Sequence, residues 1–125
     1  WLRVLASGNN ASSPAARLTS DEFGRAAHEM SGATDLLARI DGSPAATGSL
    51  QPVDSVCWLG GAATSPDFRR RGLQRILLDR RIGLAARSGC ELIAATAVPD
   101  TSSMRNLERV GLTLVDTQTV WTRPL

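Results

Sequence analysis

Residues 65–75 read SPDFRRRGLQR, where three consecutive arginines precede a glycine and the start of an apolar helical pattern. The first N–H groups of a helix lack partners within the helix and carry partial positive charge, so they bind phosphate groups well. Gly72 lets the backbone approach a ligand closely, or adopt a positive φ, at little steric cost. Arg69, Arg70 and Arg71 add charge-assisted donors. The stretch predicts a diphosphate site, and a merely solvated basic helix start is the alternative.

The segments on either side have the patterns of strands and a helix. Residues 55–64 (SVCWLGGAAT) are typical of a strand, and Gly60-Gly61 predicts a bulge or a close backbone approach within it. A helix is predicted from Arg71 or Gly72 to about residue 88, with Gly89 at the position of a C-terminal cap. Residues 91–98 (ELIAATAV) predict a buried strand. Because a helix connects the two strands, they are predicted to be parallel.

The outer segments predict two further helices and four further strands. A capping box at residues 19–22 precedes a helix that ends near residue 31, and a short helix runs from Thr101 or Ser102 to Val110. The further strands are predicted at residues 36–40, 45–50, 112–115 and 119–122. Residues 7–18 are small and polar, which indicates a loop.

The chain resembles the GNAT superfamily of N-acetyltransferases, which carries an R/Q-x-x-G-x-G/A loop between a splayed strand and a long helix. Residues 69–74 (RRRGLQ) match this loop at the arginine and the first glycine, whereas Gln74 replaces the second small residue and is expected to narrow the turn slightly. The similarity continues through residues 85–89 (AARSG) and 107–112 (LERVGL). It looks continuous over residues 36–124, and residues 1–35 match loosely.

The resemblance implies an α/β (α+β) fold in a single domain over residues 1–125. The expected sheet is mixed, mostly antiparallel and twisted, has about six strands with a parallel splayed central pair, and is flanked by helices. The chain begins with Trp1 rather than Met, which suggests a truncated N-terminus.

The resemblance also implies a binding site for acetyl-CoA, the acyl donor of that family. Backbone groups of Ala62, Ala63 and Thr64 would contact the pantetheine arm. The diphosphate would lie at the loop and helix start, on Arg69, Arg70, Arg71, Gly72, Leu73, Gln74 and Arg75. Ser103 and Asn106, on the short helix, would face the cofactor, although capping is an equally good role for Ser102 or Ser103.

The catalytic residues are not identified by the sequence. Family members often use a glutamate as general base, acting through water, and a tyrosine as general acid. Leu107 stands at the position of that tyrosine, the chain has no Tyr, and residues 55–64 contain no Asp or Glu. Asp54, Glu29 and His28 are the candidate bases, with an ordinary surface role as the alternative for the last two. Catalysis remains feasible, since proximity alone contributes up to about 7–11 kcal/mol.

Composition excludes several other chemistries. The chain has no Lys, so Schiff-base catalysis is excluded. One His and two widely separated Cys predict no metal site, and the two thiols are expected to be reduced and buried. A net charge of +2 and an interrupted arginine run argue against a nucleic-acid partner. No apolar run approaches the ~20 residues of a membrane span, and a cytoplasmic location is expected.

The predicted function is transfer of an acetyl group from acetyl-CoA to an amine of a small molecule or protein. The alternative is an acyl-CoA-binding or interaction module without transferase activity, because the tyrosine and the strand carboxylate are missing. A homodimer is a candidate assembly. Trp58 and Trp121 are expected in the core, or as a substrate wall.

Overall fold

The computed structural model describes residues 1–8, 22, 24–29, 32–119, 121 and 123. The strands are β1 (Thr34–Ile40), β2 (Ser43–Val53), β3 (Val56–Thr64) and β4 (Leu92–Ala95). The helices are α1 (Leu2–Gly8), α2 (Leu73–Arg87) and α3 (Ser102–Arg109), with a 3₁₀ turn at Pro66–Phe68. Residues 24–29 are also helical.

The four strands form one mixed sheet in the order β1-β2-β3-β4. β1, β2 and β3 are antiparallel neighbours, and β3 pairs with β4 in parallel. Positive φ angles at Asp41 (48°), Gly42 (78°) and Asp54 (52°) form the two tight turns, as short hairpin connections require. β1 and β2 thus form an antiparallel hairpin, and the predicted parallel pair is confirmed.

The core lies between the sheet and α2. It contains the buried side chains of Leu50, Cys57 and Leu59 from β2 and β3, together with Leu78 and Ala85 from α2. Because successive side chains of a strand point to opposite faces, Trp58 and Gly60 lie on the other face. That second face is the one on which α1 and residues 24–29 lie.

The described part of the sheet has four strands, so the expectation of about six is not confirmed. The predicted strand at residues 112–115 is wrong, because residues 112–119 form no strand pairing. Leu114 and Val115 are adjacent in sequence and both largely exposed, so they offer no one-sided apolar face to fix a register. The strand predicted at 119–122 lies partly outside the described residues.

Several boundaries also differ from the sequence-based expectations. α1 was not predicted, and its last two residues fall within the predicted loop 7–18. β4 is shorter than the predicted strand 91–98, because its pairing with β3 ends at Ala95. The capping box at residues 19–22 lies mostly outside the described residues. No helix in the described part of the chain is long and apolar enough to span a bilayer.

Candidate active site

A gap opens between the two parallel strands. β3 pairs with β4 only from Val56 to Leu59. β3 then continues to Thr64, whereas β4 ends at Ala95. Residues 60–64 therefore have no β4 partner along this edge, over about 16 Å of extended chain. Such an edge offers unpaired N–H and C=O groups to an extended ligand.

β3 carries a bulge at the point where the gap begins. Thr47 of β2 pairs with Ala63, and Ser49 pairs with Gly60, so β3 has one residue more than β2 in this interval. Gly61 has φ 54°, in the left-handed region that favours glycine. A Cβ at Gly61 would lie 2.5 Å from the Trp1 ring. The distortion that Gly60-Gly61 predicted is thus present, and it turns backbone N–H groups away from the β2 ladder.

Arg81 of α2 extends beneath this bulge and bonds to it. Its side chain is 3% exposed. Nη1 donates to the carbonyl oxygens of Ser49 (3.2 Å) and Gly60 (3.1 Å), and Nε donates to Leu77 O (3.2 Å). Burial lowers the pKa of Arg81 to about 10, because the guanidinium loses water, and it stays charged at neutral pH.

Sequence reasoning did not single out Arg81 as a structural residue. The signal was present, since Leu78, Arg81 and Ala85 have i, i+3 and i+7 spacing and therefore share the buried face of α2. Gly48 provides the space for the guanidinium, because a Cβ there would lie 2.9 Å from Arg81 Cζ.

Gln74 connects the first turn of α2 to the two central strands. Its Nε2 donates to Ala63 O (2.7 Å) and Thr64 Oγ1 (3.0 Å), and lies 3.3 Å from Thr47 O. A small residue at this position could make none of these bonds. The departure from the family loop therefore fixes the helix start to β3, and the expected narrowing of the turn stays a prediction.

The loop before α2 has a left-handed backbone that leads to an open helix start. Arg70 (φ 63°) and Gly72 (φ 74°) both have left-handed conformations. Gly72 is the N-cap residue and no side chain caps the helix. The first backbone bond of α2 runs from Ile76 N–H to Gly72 O, so the N–H groups of residues 73–75 point outward. A Cβ at Gly72 would meet nothing within 4 Å, so this end of the helix is open.

The arginine side chains of the loop have different surroundings. Arg69 Nη2 donates to Gly8 O (3.2 Å), which directs this side chain toward the end of α1. Arg71 lies over the Phe68 ring at 5.5 Å, a cation–π distance. Arg75 and Asp79 form an exposed pair at 3.9 Å, which contributes little. The outward backbone N–H groups thus have exposed Arg70 and Arg71 beside them, and binding of a diphosphate there stays a prediction.

The residues predicted to contact the pantetheine arm lie on the edge of the gap. Ala62 is exposed, whereas Ala63 is buried and its carbonyl is occupied by Gln74. Gly8 packs closely on this strand end, since a Cβ there would lie 2.8 Å from Thr64 N. The roles of Ala62, Ala63 and Thr64 in binding the pantetheine arm stay predictions.

The predicted cofactor residues Ser103 and Asn106 lie on α3. Thr101 caps the helix, because its Oγ1 accepts from Met104 N–H (3.4 Å), so neither Ser102 nor Ser103 is the cap. Ser103 is exposed, and Asn106 Oδ1 accepts a bond from Arg109 (3.3 Å). Leu107, at the position of the family tyrosine, packs against the core. Cofactor contact by Ser103 and Asn106 stays a prediction.

His28 is the candidate base for which the structure shows a partner. Its Nδ1 is hydrogen-bonded to Asp35 Oδ2. The imidazole stacks on the Trp1 indole, with centroids 5.5 Å apart and an angle of 17°. The Trp1 ring in turn lies against Gly61 in the bulge. Asp54 is exposed in the β2–β3 turn, and Glu29 is exposed as well.

A cavity of about 770 Å³ lies on the sheet face opposite α2. β2 and β3 form its floor, and α1 with residues 24–29 forms its walls. Trp58 lines it and is 40% exposed, so its expected place in the core is wrong and the substrate-wall alternative fits. Trp121 is 88% exposed, which also contradicts a core position. The cavity has the size of a small-molecule site.

Cys57 does not have the character of a nucleophile. Cys57 and Cys90 are free thiols whose sulfur atoms lie 2.8 Å apart. Burial, and then the bond from Cys90, raise the pKa of Cys57 to about 11, so it is a thiol at neutral pH. Over the described residues, no three His, Cys, Asp or Glu side chains are grouped as metal ligands.

Comparison with known proteins places this geometry in a family. The model of the acetyltransferase (GNAT) family matches residues 7–112. The chain belongs to the GNAT acetyltransferase family. The match includes β1 to β4, the loop and both later helices. None of the curated proteins compared with the chain matches it in sequence.

Solved structures share the GNAT fold at low identity. The aminoglycoside N-acetyltransferase AAC(6')-Iy, in complex with the bisubstrate analogue CoA-S-monomethyl-acetylneamine, superposes with a TM-score of 0.68 and 17% identity over 100% of this chain and 90% of that one. An aminoglycoside 6'-N-acetyltransferase from Acinetobacter haemolyticus gives 0.65 and 21%, over 100% and 90%. Glucosamine-6-phosphate N-acetyltransferase from Arabidopsis thaliana gives 0.68 and 12%, over 98% and 88%.

Proposed function

We propose that this GNAT acyltransferase moves an acetyl group from acetyl-CoA to an amine. The observation that carries the proposal is the continuity of the site: the unpaired edge of β3 from Gly60 to Thr64 leads through the loop to the open start of α2 at Gly72. An extended thioester chain fits the edge, and a diphosphate fits the outward N–H groups. Acetyl-CoA supplies an activated acyl group with a thiolate as leaving group.

The bulge orients the groups that would act on the thioester. Because Gly61 and Ala62 are out of register with β2, a backbone N–H there is available to polarise the thioester carbonyl. Arg81 occupies the neighbouring carbonyls of Ser49 and Gly60, so these oxygens are held on the α2 side. The bulge therefore presents donors to the gap, in an orientation fixed before ligand arrives.

We further propose His28 as the general base for the acceptor amine. Asp35 binds Nδ1 and so fixes the ring, which leaves Nε2 to accept a proton from the ammonium. The amine nitrogen then bonds to the acetyl carbon and gives its second proton to solvent, the C–S bond breaks, and the thiolate takes a proton from solvent. Leu107 cannot supply that proton, but a thiolate is already a good leaving group.

The donor site is tested by titration calorimetry with acetyl-CoA. The variant Gly72→Glu places a negative side chain at the proposed diphosphate site, and Gly89→Glu is its matched control. Both glycines have nearly equal φ (74° and 76°) and open space for a Cβ, so backbone strain and charge change are the same. We expect the parent chain to bind acetyl-CoA with a micromolar Kd. Gly72→Glu should weaken this affinity by at least about tenfold, and Gly89→Glu should leave it unchanged. Equal losses in both variants, or no binding by the parent chain, would refute the site.

The alternative is a CoA-binding module without transferase activity. It is supported by Leu107, an apolar residue that packs against the core and that the resemblance assigns to the position of the family's tyrosine. Release of free thiol from acetyl-CoA in the presence of a broad set of amines separates the two functions, since turnover of any amine rejects the module. The homodimer and the cytoplasmic location stay predictions.

A further inference from the structure

The cavity on the open face of the sheet identifies the class of acceptor, on the basis of the proposed transferase function. Its described lining is mainly apolar, formed by Trp1, Leu5, Gly24, Ala27, Ala33, Leu50, Val53, Val56, Trp58, Gly60, Gly61 and Ala62. Ser49, Gln51 and Ser55 are polar but neutral. Among the lining residues that the structure describes, Asp54 has the one ionisable side chain.

The charge of Asp54 lies far from the reacting centre. Asp54 is in the exposed β2–β3 turn, whereas the bulge is at Gly60 and Gly61. The four residue steps from Val56 to Gly60 alone span about 13 Å. Asp54 is thus placed at the outer end of the cavity, where it can attract a cation but cannot pair with an amine at the bulge.

This lining is poorly suited to a polycation. Each ammonium group that enters an apolar cavity loses its water, and the loss is offset only by a carboxylate or hydrogen-bond partner. An aminoglycoside carries several ammonium groups, and the described walls offer one carboxylate at the rim. An aminoglycoside therefore fits the described lining of this cavity poorly.

An apolar amine fits the same walls well. Trp58 presents an indole ring to the cavity, and Val56, Ala27 and Ala33 complete an apolar surface around it. An aromatic body gains burial and ring contact there. Apolar surroundings also favour the neutral form of the amine, which is the nucleophilic form.

We propose that the acceptor is a primary amine attached to a single aromatic or branched alkyl body, with one positive charge in solution. The amine lies at the bulge beside Trp1, on whose indole His28 stacks, and the apolar body lies against Trp58. This assignment concerns the acceptor side only and is independent of the loop that binds the donor.

The experiment compares 2-phenylethylamine with kanamycin, using acetyl-CoA and detection of released thiol. We expect kcat/KM for 2-phenylethylamine to exceed that for kanamycin by at least about 100-fold, the value of one buried aromatic group. Trp58→Ala should lower kcat/KM for 2-phenylethylamine by about 10-fold to 100-fold and leave acetyl-CoA affinity unchanged. Trp121→Ala is the matched control, because Trp121 is exposed and outside the cavity, and it should change neither value.

The outcomes separate the acceptor class from the proposed function. Failure of the chain to bind acetyl-CoA overturns the transferase function. If the chain binds acetyl-CoA but kcat/KM for kanamycin equals or exceeds that for 2-phenylethylamine, only the acceptor class is overturned. If no amine is acetylated, the acceptor class is tested by measuring the binding of 2-phenylethylamine to the complex of the protein with free CoA. Saturable binding that Trp58→Ala weakens supports the proposal, and its absence up to about 10 mM, near the weak end of specific binding, overturns it.

Discussion

Gly48→Ala is the substitution whose effect follows most directly from the site. In most strands, replacing glycine by alanine is neutral or stabilising, because the unfolded chain loses conformational freedom. Here the new Cβ would lie 2.9 Å from both Cζ and Nε of Arg81. The φ of Gly48 is outside the left-handed region, so the backbone itself accepts alanine. The sign of the expected change in stability is therefore set by the contact with the Arg81 guanidinium alone.

The magnitude follows from what the guanidinium must give up. A movement of several tenths of an ångström stretches the bonds to Ser49 O and Gly60 O, now 3.2 and 3.1 Å, toward the limit of hydrogen bonding. Overpacking a filled site costs about 1–3 kcal/mol, and weakening two buried bonds costs a similar amount. We expect Gly48→Ala to lower the free energy of unfolding by about 2–3 kcal/mol.

Urea unfolding followed by tryptophan fluorescence measures this change. Gly83→Ala, in α2 with its nearest contact a flexible arginine end at 3.5 Å, is the control and should stabilise by up to about 1 kcal/mol. In an Arg81→Met background the flexible thioether can move aside, so Gly48→Ala should cost at most about 0.5 kcal/mol. A Gly48→Ala variant as stable as the parent, or equally damaging with Met at 81, would refute the role given to Arg81.

Two further predictions concern protons. Since the pKa of Cys57 is raised from 9.0 to about 11, the folded chain holds its proton more tightly. The contribution of this proton to the free energy of unfolding is complete below pH 9. It is lost between pH 9 and 11, and the loss is at most about 3 kcal/mol. The free energies of unfolding of the parent and of Cys57→Ala should therefore converge over that pH range. Curves of free energy against pH that stay parallel would contradict the raised pKa of Cys57. His28→Gln should lower kcat about 100-fold, with acetyl-CoA affinity unchanged. Glu29→Gln is the neighbouring control, and an unaltered kcat in His28→Gln would exclude His28 as base.

The central part of the fold could be predicted from local patterns. Gly60-Gly61 indicated the distorted strand, and the apolar periodicity up to Gly89 indicated the long helix, because both signals act within a few residues. The parallel pair followed from the helical connection. The end of the chain was less predictable, because Leu114 and Val115 resemble a strand only if a sheet edge is there to cover them.

The parts of the site that depend on local backbone conformation could be predicted from the sequence. The parts that depend on the packing of side chains from distant segments could not. Gly72 marked the open helix start, since a glycine before a helix has few other reasons to be there. The pairing of His28 with Asp35 and the place of Arg81 beneath the bulge depend on side chains brought together by the whole fold. Arg81 also belongs to an arginine-rich stretch, so its charge resembled that of its exposed neighbours.

Gln74 and Arg81 together have a mechanical consequence. They lie two turns apart on α2, about 10 Å along its axis, and both bond to carbonyls of the central strands. The helix and the bulge are therefore clamped at two points and must move as one body. A ligand that immobilises the start of α2 should also slow amide hydrogen exchange at Gly61 and Ala62, so that occupation of one end of the site stiffens the other.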